Sequence, residues 1–223
     1  MINDCQLFCI YIYSCHALRY SGPTSYKAGK YYTRLTQVKL TGNQRTEIVN
    51  VAKSQVGYQE GSSSSQLSGT VYGGKNYTEY GRWYGIQDMW CAMFVSWCAA
   101  RAGVSISIVP KHAYTPSGLQ WFKDRGKEYS RATVAAGKYT PKAGDIIYFK
   151  SSRNKNATIQ FGIVTSYSNG KVYTIEATFR KLDTAGIAAD LDNKDWSVYR
   201  VPKISTKAKC IQKIISSSVG IKC

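Results

Sequence analysis

An α+β domain is the fold class that this sequence predicts, on three observations. Apolar residues at helical spacing fill the first half of the chain. Runs of β-branched and aromatic residues fill the second half, and an Asn169-Gly170 turn joins two of those runs. Helices followed by hairpin-linked strands imply N-terminal helices packed on an antiparallel sheet.

The elements follow in order. Thr41-Gly42-Asn43-Gln44 is a Thr-x-x-Gln capping-box pattern, and Ile48, Val51, Ala52, Gln55 and Val56 continue it at helical spacing to a stop at Gly57, which predicts a first helix over 41–56. Residues 57–87 carry Gly and Ser clusters with Tyr72, Tyr77, Tyr80, Trp83 and Tyr84 and no period. Two readings stand for them, a functional loop and an aromatic cover over the edge of the core. Asp88 is the expected cap of a second helix from Met89 to Ala102, apolar nearly all round and therefore buried, ending at Gly103. Thr115 as cap and Pro116 in the first turn open a third helix that runs through Trp121 and Phe122 to Gly126. Strands are expected at 145–150, 159–167, 171–177 and 196–201, with the second and third joined by Asn169-Gly170 as a two-residue hairpin.

This pattern sets a domain at 41–201 between a basic N-terminal extension, 1–40, and a basic C-terminal tail, 202–223. The extension is Tyr-, Lys- and Gly-rich from Arg19 to Leu40 and reads as a linker or a loosely packed extension. Its residues 7–13 resemble the apolar part of a secretory signal, but no positive charge precedes them and no clean cleavage site follows. The chain holds 30 basic and 13 acidic residues for a net +17, divided as +4, +8 and +5 between extension, domain and tail. Such a field favours polyanionic surroundings. Nucleic acid is not the expected partner, because no helix-turn-helix, zinc or RNP pattern accompanies the charge.

With 43% hydrophobic and 19% charged residues the chain is too apolar for disorder, and no run reaches the ~18–20 apolar residues of a membrane span. The seven cysteines, at 5, 9, 15, 91, 98, 210 and 223, include no CxxC pair. With His16 and His112 as the two histidines, neither zinc nor another metal is expected, no aspartate-rich calcium loop is present, and no cofactor is implied.

Cys91 is the residue with chemistry to offer. With Asp88 as cap it is the third residue of a buried helix, where unpaired N–H groups and the helix dipole stabilise a thiolate. Cys98 lies two turns further on, too far for a disulfide to Cys91 within one straight helix. Cys91 is therefore expected to be partly accessible, in a groove walled by residues 57–87 and 159–177, and Cys98 to be buried.

Four motifs in order, Trp90-Cys91-Ala92-Met93-Phe94-Val95-Ser96-Trp97-Cys98, Gly144-Asp145-Ile146-Ile147-Tyr148-Phe149, Phe161-Gly162-Ile163-Val164 and Tyr173-Thr174-Ile175-Glu176, resemble those of the CHAP family over about residues 41–201. The resemblance implies a papain-like domain with a helix-borne cysteine facing an antiparallel sheet. It implies a hydrolase of bacterial peptidoglycan, amidase or endopeptidase, acting as a monomer that is secreted, wall-associated or phage-encoded for lysis. Cys91 matches the family nucleophile, Glu176 the carboxylate that orients the base, and Cys98 a packing cysteine. Trp83, Tyr84, Trp90 and His112 are the candidates to contact substrate.

The match departs where the base should be. Family members carry histidine immediately before the x-Gly-Ile-Val strand, and this chain has Gln160 there. A carboxamide does not titrate near neutral pH, so Gln160 can orient a group but cannot take the thiol proton. Ala177-Thr178 also stands where the family tends to have Gly-Asn. Impaired hydrolysis is the expectation, with an inactive wall-binding module as the alternative. His112, within Val109-Pro110-Lys111-His112, is read as a solvent-facing or substrate-side loop residue rather than a replacement base. A strict two-residue turn would pair Ser168 with Lys171 and carry Glu176 opposite Ile163, placing Gln160 and Glu176 on opposite faces of the hairpin. One site for both requires a bulge, and Gly162 is the candidate position.

Overall fold

The computed structural model describes residues 22–39, 41–150, 158–177, 182–183 and 196–201. The apolar run at 7–13, His16, Thr178, the C-terminal tail and Cys5, Cys9, Cys15, Cys210 and Cys223 lie outside the described residues.

Two helices precede the predicted start of order, α1 (Thr24–Lys27) and α2 (Lys30–Thr36). They bury Tyr26, Tyr31 and Leu35 in the main core. The reading of this stretch as a linker is thereby corrected for residues 22–39, because the tyrosines that gave it no recognisable period are core residues. Tyr26 Oη donates to Gln55 Oε1 at 2.9 Å, and the Tyr31 ring lies edge-on to Tyr58 at 5.4 Å.

Helix α3 (Gln44–Ser54) lies within the predicted span. Its cap is Asn43 rather than Thr41. The Asn43 side chain accepts from the Arg45 N–H at 3.1 Å, while Thr41 Oγ1 accepts from the Asn43 N–H and Glu47 Oε1 from the Gly42 N–H. The 57–87 stretch holds α4 (Glu79–Tyr84), capped by Thr78. It also holds an isolated bridge between Gly61 and Tyr77. Tyr58 and Tyr80 are fully buried in it, so for those two rings the core-cover reading is the correct one.

Helix α5 (Cys91–Arg101) is buried along most of its length, as its all-round apolar sequence predicts. It begins two residues later than expected. Asp88 Oδ1 accepts from the adjacent Met89 N–H at 2.6 Å, and Trp90 occupies the cap position without a side-chain cap bond. Helix α6 (Thr115–Lys123) has Tyr114 at its cap, with Pro116 in the first turn. A short strand β1 (Glu128–Ser130) and helix α7 (Arg131–Ala135) follow, neither of which the hydropathy pattern announces.

The remaining strands are β2 (Ile146–Lys150), β3 (Thr158–Ser168), β4 (Lys171–Ala177), β5 (Leu182–Asp183) and β6 (Trp196–Tyr199). Among the described residues six strands pair antiparallel, in the order β1-β6-β2-β3-β4-β5. With the helices packed on it, this is an α+β fold of the papain-like kind. One face carries Ile146, Tyr148, Phe161, Ile163 and Ile175 into the main core with α3, α5 and α6. The other carries Ile147, Phe149, Val164, Val172, Trp196 and Val198 into a second core under Val134 of α7.

The hairpin contains the required bulge, three residues beyond Gly162 at Thr165. Asn169 and Gly170 have φ of 50° and 73°, the two left-handed residues of a type I′ turn, and Ser168 pairs with Lys171 as predicted. The register shifts between Val164 and Ser166, leaving Thr165 as the extra residue. Beyond it Val164 pairs with Thr174 and Gly162 with Glu176. One inserted residue thus brings Gln160, Gly162, Thr174 and Glu176 onto a single face.

A buried ion pair ties the sheet to α3. Arg45 Nη2 lies 2.7 Å from Asp145 Oδ1, and Arg45 also donates to the carbonyls of Ala143 and Val201. The same aspartate accepts from Tyr139 Oη at 2.7 Å and from the Lys142 N–H at 2.8 Å. No helix among the described residues is long and apolar enough to cross a membrane.

Candidate active site

The residue before the cysteine is the anchor of the catalytic helix. Trp90 is buried, its ring stacked on Tyr80 at 5.4 Å and its indole N–H donating to Glu60 Oε2 at 2.9 Å. Assigning Trp90 to substrate contact is therefore corrected. Its flat face and its single polar atom are both spent inside the protein, where they fix the point at which α5 starts.

Cys91 is the first residue of α5 and is buried at 9% exposure, which corrects the expectation of partial access, and Cys98 is wholly buried; both are free thiols. Burial pushes the Cys91 thiol above its ordinary pKa. The main-chain N–H groups of Phe161, Ala92 and Cys91 pull it down, and the charge of Glu176 pushes it up again. The helix terminus thus offers the thiolate the stabilisation that the sequence suggested, but desolvation outweighs it. Cys98 is pushed higher still by burial.

The sulfur meets β3 at Phe161, next to Gln160. On the opposite face of the strand the Gln160 amide donates to Glu176 Oε2 at 2.6 Å and makes a longer contact of 3.4 Å to the Ala177 carbonyl. The second carboxylate oxygen accepts from Thr174 Oγ1 at 2.6 Å. Glu176 and Thr174 are buried and Gln160 is half-buried. Gly162 makes this packing possible. A Cβ there would lie 2.7 Å from Glu176 Cγ, closer than side-chain atoms tolerate. Thr174 was not singled out in the sequence, although its spacing two residues before Glu176 on one strand puts both side chains on one face.

His112 is elsewhere. It is buried, with Nδ1 at 3.0 Å from the Pro110 carbonyl and 3.2 Å from Ser96 Oγ, and its ring lies edge-on to Phe161 at 4.9 Å. The absence of a side chain at Gly118 makes room for the imidazole. Burial holds its pKa below the ordinary value, so the ring is neutral at pH 7. The expectation of a solvent-facing or substrate-side loop residue is corrected: His112 is a core imidazole on the Phe161 side of the sheet, opposite the face that carries Gln160.

Trp83 and Tyr84 are half-buried at the end of α4, and Lys111 Nζ lies 4.7 Å and 5.2 Å from their ring centres. These two residues keep accessible aromatic surface. Tyr114 and Met89 are more exposed still.

A CHAP-domain family model matches residues 80–178, the segment that holds Cys91, Gln160, Thr174 and Glu176. No curated protein and no solved structure matches the chain significantly. A helix-borne cysteine set against an antiparallel strand pair, the ordered motifs and this match agree: residues 80–178 are similar to a CHAP domain, a domain type that points to peptidoglycan hydrolysis.

Proposed function

We propose that this protein is a peptidoglycan-directed amidase or endopeptidase of the CHAP type whose hydrolysis is attenuated. The reading is supported above all by Gln160, whose amide takes the place beside Glu176 that an imidazole needs for acid–base work. Thiol attack on a wall amide requires a group to accept the S–H proton and then to protonate the departing amine. A carboxamide does neither. The thiol is moreover held protonated by burial and by the neighbouring Glu176 charge. General acid–base catalysis is worth about 10²–10⁴-fold, so slow cutting rather than none is expected from positioning and the helix terminus alone. A peptidoglycan substrate is consistent with action at the bacterial wall, as a secreted or phage-encoded product.

The same absence of a titrating partner favours one second reading, a wall-binding module that has lost its chemistry, with Trp83, Tyr84 and Lys111 as a surface for wall fragments. Release of free amino groups from a purified Gram-positive wall suspension, measured beside sedimentation of the protein with those walls, separates the two. Slow release that is abolished in Cys91→Ala supports attenuated hydrolysis. Co-sedimentation with no release above the Cys91→Ala background supports the binding module, and neither release nor co-sedimentation removes the wall-directed reading.

A further inference from the structure

The side chains around Gln160 leave its amide one orientation. Glu176 Oε2 and the Ala177 carbonyl are both acceptors, so the nitrogen of the amide must face them and both of its hydrogens are directed inward. Thr174 fills the other carboxylate oxygen and keeps the carboxylate from turning. The Gln160 carbonyl oxygen is what remains. It carries no hydrogen bond among the described residues and belongs to a half-buried side chain, so it is turned outward beside the residue that meets the Cys91 sulfur.

We propose that Thr174, Glu176 and Gln160 form a fixed-orientation recognition element for an N–H donor, in which Gln160 Oε1 accepts from a primary ammonium or amide N–H of a peptide ligand. An amide oxygen backed by a buried carboxylate is a neutral acceptor in a negative field. It suits a cationic amine better than a neutral donor and rejects an anion. Gln160 touches the ligand, and Thr174 is a positioning residue that acts on it through Glu176. The inference rests on the wall-directed reading for the identity of the ligand, a peptidoglycan peptide with a free amine, but the acceptor itself is a property of these three side chains.

The test uses the full chain carrying Cys91→Ala, so that cutting does not intervene. The probes are muropeptides released by a muramidase, before and after N-acetylation of their free amines, and the dipeptide alanyl-alanine with and without an N-acetyl group. Binding by calorimetry should weaken about tenfold on acetylation, the size of effect carried by one hydrogen bond to a charged donor. Gln160→Met should remove that difference. Thr174→Val should weaken amine binding several-fold and shift the Gln160 side-chain amide signals in ¹H–¹⁵N spectra at temperatures where the variant is fully folded, and Thr174→Ser should restore both. Binding that ignores acetylation and Gln160→Met overturns the acceptor and leaves the wall reading standing. Amine-dependent binding of the dipeptide with none of the muropeptides keeps the acceptor and overturns the wall reading. No binding of any probe overturns both.

Discussion

Gln160 donates to the Glu176 carboxylate over 2.6 Å across two strands whose register is offset by a single residue, Thr165. Without that residue the two side chains would sit on opposite faces. Deleting Thr165 should therefore separate them, and the Gln160 amide signals should move to solvent-like positions while the rest of the sheet survives. An unchanged spectrum would mean that the hairpin re-forms the bulge elsewhere.

Gly162 should tolerate no side chain. Its missing Cβ is the space taken by Glu176 Cγ, and a methyl forced into packed surroundings costs about 1–3 kcal/mol. Gly162→Ala should lower stability by this amount in denaturant titration, and Glu176→Ala added to it should recover most of the loss. A neutral Gly162→Ala would show that the hairpin opens at no cost.

Removing residues 22–39 should destabilise the fold severely, since Tyr26, Tyr31 and Leu35 leave the core with them. Each such side chain contributes about 1.5–3 kcal/mol of burial. A chain starting at residue 41 should unfold without a cooperative transition at temperatures where the full chain is native. A sharp transition at the full-length melting temperature would restore the boundary first drawn at 41.

The buried Arg45–Asp145 pair makes a different kind of prediction. Arg45→Met strands the Asp145 carboxylate, and breaking a buried pair in this way costs about 3–5 kcal/mol. A second substitution, Asp145→Leu, should recover part of that loss in thermal or denaturant unfolding. If Arg45→Met is neutral, the pair does not tie α3 to the sheet.

Most of the fold was legible because its signals are local. The apolar helix around Cys91, the Asn169-Gly170 turn and the runs that became β2, β3 and β4 are each written in a window of a few residues. What escaped depends on partners far away in the chain. Tyr26 and Tyr31 look like linker residues until Gln55 and Tyr58 are placed against them. Asp88 has the chemistry of a helix cap, but Trp90, held by Glu60 and Tyr80, moves the start of the helix past it. In the site, the departure at Gln160 is visible in sequence, whereas the role of Thr174 and the burial of His112 emerge only when register and packing are known. The helix terminus does stabilise the Cys91 thiolate, but the desolvation that outweighs it depends on packing that no local window of sequence reveals.

Thiol reactivity follows from that balance. Burial and the Glu176 charge hold the Cys91 thiol above its ordinary pKa, so the thiolate is scarce at neutral pH and grows as pH rises. Alkylation by iodoacetamide should be slow at pH 7 and still be accelerating beyond pH 9. Gln160→His should shift the profile to lower pH by placing a titratable cation on the residue next to Phe161, whose N–H meets the sulfur. Cys98, wholly buried, should react only on unfolding. Faster labelling of Cys98 than of Cys91 would exclude Cys91 as nucleophile.

Lysis of purified Gram-positive walls by wild type, Gln160→His, and Gln160→His with Cys91→Ala tests whether Gln160 is what attenuates hydrolysis. Slow lysis by wild type, an increase of about 10²-fold or more with Gln160→His, and loss of that gain when Cys91→Ala is added are the expected result. Full-rate lysis by wild type that disappears with His112→Ala would contradict it, because the base would then be the imidazole assigned here to the core.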